Sequence, residues 1–209
     1  MYTLYYSPGT ASMVVHLALL ECAAPYRLER VDLPAGGQRN AEYLRLNPQG
    51  VVPTLLIDGR AHVESAAILL MLADRHPAAG LAPAPGSALR NDWYQWVVNL
   101  SNSLAAPFRF WFYPADLGTS EHPPVQRAAL QARIESVWTR LDTHLAAHGP
   151  YLLGAEFSGA DLLATMYMRW SRNMPHPALE WPALRRLAER VRARPSWRRL
   201  YELEDLHEW

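Results

Sequence analysis

The sequence has little of what would mark a secreted, nucleic-acid-binding or membrane protein. Its one cysteine, Cys22, excludes a disulfide within the chain and is typical of a reducing compartment. It contains no lysine, and its 20 basic residues, all arginine, are matched by 20 acidic residues to give a formal net charge of zero. A chain without net charge has no overall field that attracts a polyanion, so binding of nucleic acid or of an anionic membrane is not expected.

Long hydrophobic runs are also missing. The longest apolar run, Ala66 to Ala73, is far below the roughly 18 residues of a membrane span. Because no charged leader followed by an apolar stretch opens the chain, the sequence predicts a cytoplasmic location. The chain has 209 residues, of which 50% are hydrophobic, and this is enough for one large domain or two small ones with their own cores.

The first part of the chain alternates between strand and helix patterns. In order, these predict a strand, a helix, a strand, a helix, a two-stranded hairpin and a closing helix, at residues 3–6, 12–23, 26–32, 40–46, 52–57, 60–63 and 65–76. Asp58-Gly59 is a strong turn signal between the two hairpin strands. Cys22 lies in the apolar run of the first helix, so we expect it in the core rather than at a reactive site.

The second part of the chain is predicted to be all helical. Residues 78–87, rich in proline and alanine, have neither a helical nor a strand period and separate residues 1–77 from residues 88–209 as a linker. Helices are expected at about 88–113, 124–148, 158–173, 181–194 and 195–205. The third of these has a clear start, because Ser158 can cap it and Asp161 can return the bond, and its apolar residues predict the buried centre of this domain.

A proline interrupts the apolar strand pattern at Val52-Pro53-Thr54, and this interruption predicts a small-molecule site. Proline cannot donate to a strand ladder, so Pro53 must lie at an edge or at a distortion, which leaves nearby backbone free for a ligand. We expect a cis bond before Pro53, which would aim the amide and carbonyl of Val52 outward.

Glu64 and Ser65 open the helix that follows the hairpin. The free amides and the positive dipole end of a helix start favour a carboxylate, and the Ser65 hydroxyl adds a donor. Glu64 suits an ammonium group, so the pair would hold a ligand with both an α-carboxylate and an α-amine, such as a γ-glutamyl group. In the alternative interpretation, the two residues only cap the helix.

Taken together and in this order, the motifs resemble those of the cytosolic glutathione transferases. The most specific segments are residues 47–53, 64–68 and 157–161, and the resemblance covers nearly the whole chain. It implies an α/β plus all-α fold, with a thioredoxin-like N-terminal domain of order βαβαββα followed by an all-helical C-terminal domain. It also implies a detoxifying transferase that conjugates the glutathione thiolate to small hydrophobic electrophiles.

The resemblance assigns a role in glutathione binding to particular residues. The Val52 backbone before a cis Pro53 would pair with the cysteinyl part, and Glu64 with Ser65 would hold the γ-glutamyl end. Gln38 or Arg39 would reach the glycyl carboxylate. No metal is implied, and members of the family usually form two-fold dimers.

The first loop departs from the family class that it is most similar to. In the bacterial beta class a cysteine follows the Pro-Gly-x step, but here that position holds Ala11. A hydroxyl must then stabilise the thiolate, because a thiol with a pKa of about 8.5 is only slightly ionised at neutral pH. Ser12 or Thr10 is the expected donor, and Ser7 and Tyr6 are the next candidates. Ser12 could instead be a helix cap, and Tyr6 a core residue of the strand.

The site for the electrophile is expected to be walled by the first helix of the helical domain. That helix carries a dense aromatic run from residue 108 to residue 113. We expect Phe108, Trp111 and Phe112 to be divided between this apolar site and the core, and Tyr6 to contribute from the other domain.

Two other functions of the same fold remain open from the sequence. The missing cysteine is compatible with a non-catalytic module that binds glutathione or a hydrophobic ligand. A glutathione-dependent disulfide reductase needs no protein cysteine and is also possible. An isomerase of the zeta type is disfavoured, because the Ser-Ser-Cys motif of that class is absent from the first loop.

Overall fold

The computed structural model describes residues 1–207 and residue 209. It separates into two compact units, the first formed by Met1–Ala82 with Arg192–Trp209 and the second by Pro83–Val191. The first unit therefore takes in the end of the chain, which the sequence patterns did not indicate. The boundaries predicted from the sequence, with domains at 1–77 and 88–209 and a linker at 78–87, remain a prediction.

A four-stranded mixed sheet with helices makes up most of the first unit. Its elements are β1 (Tyr2–Tyr6), α1 (Met13–Glu21), β2 (Tyr26–Arg30), α2 (Ala41–Leu46), β3 (Thr54–Ile57), β4 (Arg60–His62) and α3 (Ser65–Arg75). The strand order is β2-β1-β3-β4, with β1 parallel to β2 and the other neighbours antiparallel. This confirms the predicted order βαβαββα and the thioredoxin-like fold class.

The core of this unit follows from the sequence periodicity. Alternate residues of β1, Tyr2, Leu4 and Tyr6, are buried, as a strand with one core face requires. Helix α1 is instead apolar all round, and its residues from Met13 to Leu19 are all buried. Helix α1 packs against α3 and against α8 (Pro195–Glu204), the C-terminal helix.

Some predicted boundaries are wrong near turns. Strand β3 begins at Thr54 rather than at residue 52, because Pro53 has no N–H to give to a ladder. Helix α1 ends at Glu21, since the chain turns at Ala23 with a left-handed φ of 46°. Cys22 consequently lies at the end of α1 and is partly exposed, not in the core as the sequence predicted.

The second unit is built from helices, as predicted. They are α4 (Ala88–Phe112), α5 (Pro124–His148), α6 (Gly159–Trp170) and α7 (Pro182–Arg192). Residues 159–169 of α6 are all buried, so this helix is the centre of the unit. The predicted capping box at its start is present: the Ser158 hydroxyl accepts from the backbone, and Asp161 accepts the Ser158 N–H at 2.8 Å. Within residues 1–207 and 209, no helix is long and apolar enough to cross a membrane.

Candidate functional site

The peptide bond between Val52 and Pro53 is cis, as the sequence pattern led us to expect. The segment is fixed from behind at the carbonyl of Val51, which accepts the Tyr43 hydroxyl at 2.6 Å and the Asn47 side-chain amide at 2.7 Å. In contrast, no hydrogen bond of the Val52 backbone is found within the part of the chain that the structure describes. Its N–H and C=O are therefore available to a ligand with peptide groups.

Gln38 and Arg39 lie beside this segment, in a 3-10 helix at Gly37–Arg39. A Cβ added at Gly50 would meet the carbonyl of Gln38 at 3.0 Å and Nη1 of Arg39 at 2.9 Å, so the two backbones approach closely there. Gly50 also has a φ of 62°, which favours glycine. The side-chain oxygen of Gln38 is buried and has no hydrogen-bond partner among the described residues.

Glu64 and Ser65 are placed by an unusual backbone conformation. Glu64 precedes α3 with φ 69° and ψ 106°, and its exposed side chain makes no capping bond to the helix. The Ser65 hydroxyl donates to the carbonyl of Ala11 at 3.0 Å. The interpretation that this pair only caps α3 is therefore not supported, and the bond to Ala11 brings the start of α3 next to the first loop.

The first loop, residues 7–12, is closed by its own hydroxyl groups. The carbonyl of Ser7 accepts the Thr10 hydroxyl at 2.7 Å and the Ser12 hydroxyl at 3.0 Å. The two hydroxyl oxygens are 3.0 Å apart, so either can donate to the other. Ser12 stands at the start of α1, but its side chain makes no capping bond to that helix.

Burial separates these two hydroxyls as candidate donors to a ligand. Ser12 is fully buried, so its hydroxyl has no surface for a ligand, whereas Thr10 is partly exposed. Each hydroxyl has one proton to donate. If the Thr10 proton turns outward, Ser12 can donate to the Thr10 oxygen and keep the loop bonded.

The carboxyl group of Glu204, on α8, contacts the same loop from within the first unit. One of its oxygens accepts the Gly9 N–H at 2.9 Å, and the other is 2.8 Å from Nδ1 of His16. Burial raises the pKa of the nearby Tyr6, and the Glu204 charge raises it further against the opposing effect of Arg30. Tyr6 is thus a protonated, largely buried strand residue.

Cys22 does not replace the cysteine that the first loop lacks. Burial, with a further contribution from Glu21, raises the pKa of its thiol to about 11, so the thiolate is scarce at neutral pH. It lies at the opposite end of α1 from the loop, which precedes Met13.

The aromatic run of α4 is divided between core and surface. Phe108 is fully buried: the Tyr167 ring is stacked parallel to it, the Trp170 ring is set edge-on, and the Trp138 ring is tilted by 48°. Trp111 is also buried, and the Arg127 guanidinium lies 4.0 Å from its ring centroid. Phe112 is 47% exposed, so among the three it offers the most surface to an apolar ligand.

Sequence reasoning missed the residues that hold the site from behind. Tyr43, His16 and Glu204 carry no motif of their own, and Glu204 follows the loop it contacts by 195 positions. A polar residue within an apolar helical run, such as His16, was the one signal that the sequence offered. A group of three or more His, Cys, Asp or Glu side chains able to hold a metal ion is not found among residues 1–207 and 209.

Comparison with known proteins agrees with this geometry. The family model described as glutathione S-transferase, N-terminal domain, matches residues 10–75, and the model of the C-terminal domain matches residues 124–202. Glutathione S-transferase GST-4.5 of Xanthomonas campestris is 32% identical over 170 residues, which are 80% of this chain and 81% of that protein. Disulfide-bond oxidoreductase YfcG of Escherichia coli K12 is 28% identical over 205 residues, 94% of this chain and 92% of that protein.

Solved structures give the same answer. A sphingomonad glutathione S-transferase complexed with glutathione superposes with a TM-score of 0.87 at 30% identity, covering 98% of this chain and 100% of the other. Both halves of the chain are matched by family models, and relatives above 30% identity cover most of its length. The chain belongs to the glutathione S-transferase family.

Proposed function

We propose that this protein conjugates the thiolate of glutathione to small hydrophobic electrophiles. The observation that carries the proposal is the 3.0 Å hydrogen bond from Ser65 to the carbonyl of Ala11. It joins the start of α3, suited to an amino acid headgroup, to the loop that bears the hydroxyl groups. A ligand that spans these two places has an α-amino acid at one end and a nucleophile at the other, as glutathione does.

In this proposal, each part of glutathione has its own partner. The free backbone of Val52 pairs with the cysteinyl peptide group, and the carboxylate of Glu64 faces the α-ammonium. The first amides of α3, including the N–H of Ser65, receive the γ-glutamyl carboxylate, while the Ser65 hydroxyl stays bonded to the carbonyl of Ala11. Gln38 and Arg39 stand beside Gly50, from which they would reach the glycyl carboxylate.

Thr10 is the proposed donor to the sulfur, with Ser12 as its support. Lowering a thiol pKa by two units requires about 2.7 kcal/mol of preferential stabilisation of the anion. One hydrogen bond to a charged acceptor supplies about 1.5–3 kcal/mol, so a single hydroxyl accounts for most of it. Thr10 is partly exposed, and Ser12, 3.0 Å away, can donate to it when its proton turns toward the sulfur.

Binding of glutathione is tested by calorimetry on the wild type, Glu64→Gln and a control, Glu42→Gln. Glu42 is an exposed carboxylate on α2 whose nearest basic group, Arg45, is 3.9 Å away. We expect Glu64→Gln to raise the Kd about tenfold, the scale of one lost charged hydrogen bond, and Glu42→Gln to leave it unchanged. No binding by the wild type, or equal Kd values in all three proteins, would overturn the proposal.

Catalysis is tested with a chlorodinitrobenzene as electrophile. Thr10→Val keeps the shape of the side chain and removes the hydroxyl, so kcat/KM should fall about tenfold or more while glutathione Kd changes little. Ser12→Ala should have a smaller effect, because its hydroxyl acts through Thr10. Full activity in Thr10→Val would exclude this assignment. Loss of apolar surface in Phe112→Ser should raise KM for the electrophile.

A second candidate is a glutathione-dependent disulfide reductase. It is favoured by the similarity to the oxidoreductase YfcG over 94% of this chain. Two glutathione molecules would reduce a disulfide to two thiols and leave as glutathione disulfide, so no protein cysteine is required. Turnover of hydroxyethyl disulfide without conjugation would favour this function, and tight binding without either reaction would favour a binding module.

We also propose a homodimer in the cytoplasm, as the family resemblance implies. In support of the dimer, α4 carries exposed apolar side chains, among them Val98, which is 58% exposed, and Tyr94. Light scattering should give twice the chain mass of 23.6 kDa, and Val98→Arg should shift the value toward the monomer. A wild-type mass equal to that of one chain would show that the proposed dimer is wrong.

A further inference from the structure

A chain of buried hydrogen bonds joins the C-terminal helix to the first loop. Glu204, on the last turn of α8, and His16, on α1, both have fully buried side chains, and Oε1 of Glu204 is 2.8 Å from Nδ1 of His16. Oε2 of Glu204 accepts the Gly9 N–H at 2.9 Å. On the far side of the imidazole, Nε2 of His16 is 3.0 Å from the hydroxyl of Tyr26, on β2.

The carboxylate of Glu204 determines the direction of its own bonds. A carboxylate only accepts, so Nδ1 of His16 and the amide of Gly9 are the donors. Nε2 of His16 bonds to the hydroxyl of Tyr26, a group that can donate or accept. Both oxygens of the buried Glu204 carboxylate are thereby satisfied, as a charge removed from water requires.

The bond to Gly9 acts on the loop from outside. Gly9 has a left-handed φ of 68° and lies directly before Thr10. The hydroxyl bonds of Thr10 and Ser12 to Ser7 stay within the loop, and they fix its shape but not its position in the unit. Glu204 ties the loop to α8, and this tie sits one residue from the proposed donor to the sulfur.

We propose that Glu204 is a positioning residue, through which the C-terminal helix holds Gly9 and so sets the direction of the Thr10 hydroxyl. Its catalytic consequence rests on the proposed function of Thr10. The hold on the loop can be measured without glutathione, by hydrogen exchange of the backbone amides, so the two ideas can fail separately.

The main test compares Glu204→Met with Glu204→Gln. Methionine has a similar length but no oxygen acceptor, so the bond from the Gly9 amide to residue 204 is lost. Glutamine can accept from Gly9 with its oxygen and donate to His16 with its nitrogen, once the imidazole proton moves to Nε2 and is donated to Tyr26. Glu204→Met should speed exchange of the loop amides at least tenfold, and Glu204→Gln should restore most of the protection.

The same pair is then measured with glutathione. Glu204→Met should raise the thiol pKa of bound glutathione by about one unit and lower kcat/KM about tenfold, with a small change in glutathione Kd. Glu204→Gln should recover the wild-type values to within about threefold.

Glu21→Met is the matched control, because Glu21 also ties α8 to α1 without contacting the loop. It accepts two hydrogen bonds from Arg194 at 2.7 Å and one from Ser196. It should loosen α8 but leave the loop exchange and the thiol pKa unchanged.

Equal effects of Glu21→Met and Glu204→Met would mean that Glu204 only docks the helix, and the proposal would be wrong. If Glu204→Met fails to fold, hydrogen exchange is measured on the wild type alone. The Gly9 amide must then exchange as slowly as the amides of α1, and fast exchange would refute the proposal that Glu204 holds Gly9. If Glu204→Met speeds exchange of the loop amides but the wild type has no activity with glutathione, Glu204 does position the loop and the proposed function is wrong.

Discussion

Replacing Tyr43 and Asn47, singly and together, tests how the segment before Pro53 is held in place. Both side chains donate to the carbonyl of Val51, at 2.6 Å and 2.7 Å. The Tyr43 hydroxyl also lies 2.9 Å from the Thr54 hydroxyl. Burial raises the pKa of Tyr43 against the lowering effect of its bonds to Thr54 and Asn47, so the hydroxyl stays protonated and can donate.

The expected magnitudes follow from the shared acceptor. In Tyr43→Phe or Asn47→Ala the Val51 carbonyl keeps one donor, so each variant should lose about 1–2 kcal/mol of unfolding free energy. The double variant leaves this carbonyl without either donor and adds a penalty that neither single variant has. Because Val51 is only partly buried and water can replace one donor, we expect a coupling of about 1 kcal/mol.

The assay is urea unfolding of the wild type, the two single variants and the double variant, with glutathione calorimetry on the same proteins. Tyr5→Phe is the matched control, since the structure gives no hydrogen bond of the Tyr5 side chain within residues 1–207 and 209. In the double variant the Kd of glutathione should rise about tenfold, since the backbone of Val52 is no longer fixed. Strict additivity of the unfolding free energies would refute the shared-acceptor reasoning.

Three further predictions concern parts of the molecule outside the ligand site. Ser158→Ala removes the capping box of α6 and should cost about 1 kcal/mol or more of unfolding free energy in urea, with Ser136→Ala, on the exposed side of α5, as the control. Burial raises the pKa of Asp161 to about 6 from 3.8, so between these values the folded state binds more protons than the unfolded state. Stability should therefore fall as pH rises from about 4 to 6, by at most about 1.4 kcal/mol per unit, and Asp161→Asn should flatten this part of the profile. Cys22→Ser should leave conjugation unchanged, and native Cys22 should react with iodoacetamide far more slowly than in urea at the same pH; equal rates would contradict its raised pKa.

The local backbone geometry around Pro53 and at the start of α3 could be predicted from short-range patterns. A proline within an apolar strand, an acidic residue followed by serine at a helix start, and the hairpin turn between them are each local signals that depend on backbone chemistry. The same holds for the capping box, in which Ser158 and Asp161 are three residues apart. Local hydrogen bonds of this kind are largely determined by which residue types stand at fixed spacings.

The support behind the first loop could not be predicted in this way. The sequence offered Ser12 and Thr10 as equal candidates, and burial distinguished them only once α1 was packed against its neighbours. The partner of Gly9 lies at the other end of the chain, on a helix that the sequence assigned to the helical domain. Contacts between residues so far apart in sequence depend on how the helices and strands pack together. The periodicity of a single segment does not determine that packing.

Sequence alone therefore determined the strand and helix order, the family resemblance, and the cis bond before Pro53. These depend on residue type and spacing. The tertiary structure decided which hydroxyl is accessible, which aromatic residue of α4 is exposed, and that Glu204 is bonded to the first loop. Each of these is a matter of burial or of distance between segments far apart in sequence. Both quantities exist only after the chain has packed.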